Sequence, residues 1–228
     1  MPAAPNPRDR LWHIRVPLQP RQHIRRCRVD TFRNLGLLYS NQGRWQDAIQ
    51  PYLAALQNAP NQPYIAVELA NNYVALGEID EAIEVLVATL ERNPRDTSVL
   101  FSLGNAHTRN GNIERAYEYY RRCLDVDAEN VPCLSYLGGL QWSDGDFVTA
   151  AVNLERAISL GSTNPDDYYQ LGHSQAALGR CDLALPYLQQ GYQLVLERDD
   201  ARRQASFVNA LQSCGVQIAP PATPETEQ

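Results

Sequence analysis

Apolar residues recur along this chain at helical spacing, and the helical segments themselves recur every 34 residues. Phe32, Leu35, Gly36 and Tyr39 stand at i, i+3, i+4 and i+7, which puts them on one face of a helix. Ala48, Tyr52, Ala55 and Leu56 follow at i, i+4, i+7 and i+8 and predict a second helix. Between the two, Gly43 suits a helix C′ position, where a positive φ penalises any Cβ. Pro60 and Pro94 close the second helix in the first two units, since proline cannot continue it. The predicted unit is a helical hairpin.

The hairpin repeats in strict register from Val29, Pro63, Thr97, Val131 and Pro165. The seventh slot reads Leu35, Leu69, Leu103, Leu137, Leu171, and the eighth Gly36, Ala70, Gly104, Gly138, Gly172. The fifteenth is glycine every time, and the twentieth is Ala48, Ala82, Ala116, Ala150, Ala184. Glycine inside a helix costs about 0.5–1 kcal/mol against alanine, so the eighth slot needs a close helix–helix approach to compensate. The bulky twenty-fourth slot (Tyr52, Leu86, Tyr120, Leu154, Leu188) is expected to fill the space. A fixed period of this length marks a solenoid, where each unit buries its apolar face on the next. Pro51 and Pro186 fall early in second helices and are expected to kink or delay them.

The run Phe32-x-x-Leu35-Gly36-x-x-Tyr39, then Gly43, Ala48, Tyr52, Ala55 and Pro60, resembles the tetratricopeptide repeat motif at each signature slot. His107, Gln141 and Gln175 depart from it where the first two units carry Tyr39 and Tyr73. Ala128, Ser162 and Leu196 replace the terminal proline. The resemblance implies an all-α fold, a right-handed α-solenoid of five such hairpins (29–62, 63–96, 97–130, 131–164 and 165–198). It further implies a concave groove, lined by the first helix of each unit, that holds a peptide segment of another protein.

Carried onto this sequence, the groove slots give Arg33, Asn34, Tyr64, Asn71, Phe101, Asn105, Arg109, Tyr136, Trp142, Tyr169 and His173. Asn71 and Asn105 share a slot, and an amide pair can donate to and accept from a bound peptide group. The aromatics are typical interface anchors. Leu37 and Glu68 stand where the family's chaperone-tail clamp needs asparagine, which disfavours that ligand.

The ends differ from the repeats. Residues 199–215 predict a capping helix: Phe207, Val208 and Leu211 match apolar slots when counting restarts at Ala201, and Arg202, Arg203 and Gln212 form a polar, solubilising face. Asp199 or Asp200 is placed to cap it. Residues 216–228, with three prolines, read as a disordered tail. Residues 1–28 hold seven arginines against Asp9 alone and read as a basic, disordered arm. Nucleic-acid binding through it would be strongly salt-dependent.

Charge and cysteine content narrow the function by exclusion. The chain is net acidic (−6), with no lysine and no apolar run long enough for a membrane helix. Its five cysteines lack CxxC spacing, and Cys123 and Cys181 fill packing slots. The expectation is buried thiols in a reducing cytoplasm. No metal-ligand spacing, phosphate loop or catalytic constellation is present: His107 reads as a satisfied core histidine, and acid pairs such as Asp166/Asp167 fall at hairpin junctions. The expectation is a non-enzyme without cofactor, metal or small-molecule substrate. The alternative is the substrate-presenting subunit of an enzyme system such as a protein glycosyltransferase.

Overall fold

The computed structural model describes residues 20–217, and the side chains of 28–217. Among these residues there are eleven helices and no strand. They pair in chain order: α1 (Pro20–Asn41) with α2 (Trp45–Asn58), α3 (Pro63–Leu76) with α4 (Ile79–Arg92), α5 (Thr97–Arg109) with α6 (Ile113–Val126). α7 (Val131–Ser143) pairs with α8 (Phe147–Ser159), and α9 (Pro165–Ala177) with α10 (Cys181–Glu197). α11 (Ala201–Ser213) packs on α10 and α9. The result is an all-α solenoid, each hairpin stacked on the next.

The repeated small residues sit where the hairpins close. A Cβ on Gly104 would come 2.4 Å from the Tyr120 ring, and one on Gly172 would come 2.5 Å from Leu188. The eighth slot is glycine in these units because the twenty-fourth slot presses against its backbone. The fifteenth-slot glycines all have φ between 71° and 82°, the left-handed region a turn between two helices requires. Sequence-local capping fixes the next boundaries. Asp96 accepts from the amides of Ser98 and Val99, and Asn130 from that of Cys133, which satisfies amides that would otherwise lack an intrahelical partner.

Several expectations are corrected. α1 starts at Pro20, nine residues before the expected boundary at Val29; residues 1–19 of the basic arm, and 218–228 of the tail, lie outside the described residues. Pro51 and Pro186 lie inside α2 and α10, so neither proline delays the start of its helix. His107 is buried and stacked 5.4 Å from Tyr119, but its Nδ1 has no hydrogen-bond partner; burial holds the imidazole below its ordinary pKa and so favours the neutral ring. Asp200, rather than Asp199, caps α11 by accepting from the Arg203 amide.

The largest correction concerns sulfur. Cys123 is bonded to Cys133, and Cys181 to Cys214. Cys123 ends one hairpin and Cys133 begins the next, so this bridge crosses the joint between the third and fourth units. Cys181 opens α10 and Cys214 follows α11, so the second bridge ties the terminal helix to the last hairpin. The reading of these four residues as free buried thiols fails, and the reducing compartment inferred from it loses its basis.

Candidate functional site

The first helices approach one another along the row. α1 touches α3, α3 touches α5, α7 touches α9, and α9 touches α11. These helices therefore form one continuous layer of the array. Their outward slots carry the residues expected for the groove, and the structure sorts them into three groups.

At the α1–α3 end, the Arg33 guanidinium donates to both carboxylate oxygens of Glu68, with Nε at 3.0 Å from Oε2, and lies 5.1 Å from the centre of the Tyr64 ring. The Glu68 carboxylate stabilises the charged guanidinium against the cost of partial burial. This arginine is thus already partnered, and Tyr64 is the more available group, being 43% exposed. Asn34 lies exposed on the same helix as Arg33.

The middle of the row presents amides and two rings. Phe101 meets Tyr136 edge to face, with ring centres 5.0 Å apart. Phe101 is half-buried and so packs on its neighbours as much as it faces the groove; Tyr136 keeps 43% of its surface exposed. Asn71 is exposed and Asn105 half-buried. Among the described residues, nothing hydrogen-bonds the side chains of Asn34, Asn71, Asn105 or Arg109. The buried asparagine is instead Asn72, which accepts from Ser40 of the preceding unit at 2.8 Å and serves the core.

Toward the far end the aromatics form a connected cluster. The Trp142 indole N–H donates to His173 Nδ1 at 3.1 Å. Tyr169 lies 6.1 Å from Trp142 and 5.4 Å from Phe207 of α11. A cavity of about 240 Å³ opens between α7 and α9, walled by Tyr136, Asp166, Asp167 and Gln170. Gly139 leaves room for it: a Cβ there would lie 3.2 Å from Gln170 Oε1. Asp167 is buried and accepts from Ser135 at 2.7 Å, from Ser162, and from Asn164 at 3.1 Å. Burial raises its pKa despite these three donors.

Two contributors are absent from the groove slots that the sequence picks out. The pattern puts Arg203 on a polar outer face; in the structure its guanidinium forks Asp166, with contacts at 2.8 and 3.0 Å. The pattern gives Phe207 a role in cap packing alone, yet it meets the Tyr169 ring. The available signal is Gly191: a Cβ at this position would lie 2.4 Å from Phe207, so α10 has a notch for α11. Among the described residues there is no cluster of three or more His, Cys, Asp or Glu that could hold a metal, and no helix is long and apolar enough to cross a membrane.

A stack of helical hairpins with an inner row of aromatic and amide side chains defines the class, a helical-repeat scaffold. The chain is a tetratricopeptide repeat protein: tetratricopeptide repeat family models match residues 31–63 and 67–131. Solved structures share the fold at low identity. Pseudomonas aeruginosa PilF is 19% identical with a TM-score of 0.67, over 82% of this chain and 92% of that one. A thermophilic tetratricopeptide repeat protein of Thermus thermophilus is 21% identical with a TM-score of 0.62, over 81% and 99%. YrrB, described as having an unusual peptide-binding site, is 16% identical with a TM-score of 0.58, over 79% and 90%. No curated protein sequence matches the chain significantly.

Proposed function

We propose that this chain is a non-catalytic interaction scaffold that holds an extended peptide segment of a partner protein along its first helices. One observation carries the reading. Asn71 and Asn105 occupy the same slot of adjacent units, on the groove-lining helices, and neither side chain is hydrogen-bonded within the described residues. An amide so placed donates to and accepts from one peptide unit, and two in register match an extended backbone. Tyr64 and Tyr136, both 43% exposed, flank them as anchors. The groove's fixed charges are largely paired within it, Arg33 with Glu68 and Arg203 with Asp166, so recognition rests on amide and ring contacts more than on net charge.

The test is capture on an immobilised peptide array and from a native lysate, comparing wild type with an Asn71→Ala/Asn105→Ala double variant. Leaving buried peptide groups of a partner unsatisfied costs roughly 1–3 kcal/mol each. Two such losses should weaken capture by about tenfold to several thousandfold. The helical circular dichroism should not change, because neither side chain is part of the core. Raising salt should weaken capture only modestly. Equal capture by both proteins would place the binding surface away from the groove.

A further inference from the structure

The terminal helix α11 is held at three points, and they are unequal. At its start, Arg203 forks Asp166, but both side chains are close to half exposed (47% and 46%), so water screens this pair. In its middle, Phe207 is buried against Tyr169 and the notch at Gly191, with Val208, Ala210 and Leu211 buried beside it. Just beyond its end, Cys214 is covalently bonded to Cys181. A helix of 13 residues is too short to persist alone in water, so α11 depends on what docks it. Two of its three docking points also form the groove wall: Asp166 borders the cavity between α7 and α9, and Tyr169 belongs to the Trp142–His173 cluster.

The two disulfides differ in access. Cys123 and Cys133 have no exposed surface, whereas Cys181 and Cys214 are both part-exposed. Thiol–disulfide exchange begins with a thiolate attacking one sulfur, so the terminal bridge is the one a reductant reaches in the folded chain. We propose that the Cys181–Cys214 disulfide is a redox latch on the groove. The chain works in an oxidising compartment with α11 locked, and reduction of this one bridge releases α11 and dismantles the far end of the groove. The effect on partner capture rests on the groove reading above.

The exchange balances with an external dithiol as the reductant. A dithiol attacks one latch sulfur to form a mixed disulfide and expels the other as a thiolate. Its second thiol then displaces the first sulfur. The reductant leaves as a disulfide, and two electrons and two protons have passed to Cys181 and Cys214. Locking is the reverse, with a disulfide-donating oxidoreductase accepting those electrons.

Maleimide labelling of the intact chain, denatured without reductant, should leave Cys123, Cys133, Cys181 and Cys214 unmodified, because all four are in bridges. Graded dithiothreitol should next expose Cys181 and Cys214, and Cys123 and Cys133 only at concentrations that unfold the chain. At the intermediate step, amide hydrogen exchange should accelerate at least tenfold in α11 and measurably at 166–173 of α9, leaving α3 and α4 unchanged. Cys214→Ser should reproduce that pattern without reductant, and peptides bound by the oxidised chain should bind the reduced one at least tenfold more weakly. Labelling of all four bridge cysteines before reduction, earlier opening of Cys123–Cys133, or unaltered protection of α11 after latch reduction would each overturn the proposal. The exchange readout needs no partner, so an array that binds neither form rejects the groove reading and leaves the latch to be judged on exchange.

Discussion

The two ends of the solenoid carry the same motif and treat it differently. In the first unit Leu35 is 37% exposed; in the last, Leu171 occupies the same slot and is fully buried. The third slot contrasts as sharply: Thr31 is exposed, while Asp167 is 2% exposed within a net of three side-chain donors. The eighth slot does not follow this division. Gly36 lies against the Tyr52 ring and Gly172 against Leu188, both within contact distance for a missing Cβ. Slots three and seven are filled by the neighbouring unit, whereas slot eight is filled by the same hairpin. A residue's burial in a repeat array therefore depends on which interface its slot serves.

That division can be broken experimentally, beginning with the largest effect. Leu171→Ala should destabilise by about 2–5 kcal/mol through the cavity it leaves, whereas Leu35→Ala should cost under about 1 kcal/mol, because its side chain already meets solvent. Urea denaturation of the two variants decides it, and equal costs would mean that residues before Val29 cover the first unit. Gly36→Leu and Gly172→Leu should sharpen the contrast by failing to show it. Each overpacks a contact inside its own hairpin, and both should lose about 1–3 kcal/mol.

The smallest effect belongs to Asp167. Its folded pKa is raised by burial above the ordinary 3.8, so the native state holds the proton more tightly than the unfolded chain. Stability should therefore fall as pH rises from 3.8 through the folded value, and stay level above it. Asp167→Asn should remove that slope while lowering stability at acidic pH. An unchanged slope, measured by thermal melts across the acid range, would assign it to other carboxylates.

The hairpins are legible in the sequence because their signals are local. Gly43 and Gly104 declare a turn and a close approach through the residue itself, and Tyr52 or Tyr120 sits a fixed distance along the same unit. The groove residues are legible only as slots; that Arg33 is tied to Glu68 while Asn71 is unengaged depends on side-chain geometry no period encodes. The disulfides escape the pattern for a specific reason. Comparing Cys123 with its equivalents in other units, such as Ala55, correctly predicts burial. That comparison does not ask which slot lies opposite across the joint, where Cys133 stands ten residues on. Arg203 escapes because a helix face is polar for two different reasons, facing water or facing an acid on a neighbour.

The buried bridge at the third joint also changes how the array carries load. If the two ends are drawn apart, force reaching Cys123 passes through sulfur to Cys133 and re-enters the chain there. Residues 124–132 bear no tension. The last turn of α6, the Asp127–Asn130 turn and the start of α7 are thus shielded from any pull that stretches the rest. The solenoid becomes two springs in series around an inextensible link. The terminal bridge takes residues 182–213 out of the load path in the same way, so elongation falls to the chain before Cys123 and between Cys133 and Cys181, while the joint between the third and fourth units keeps its spacing.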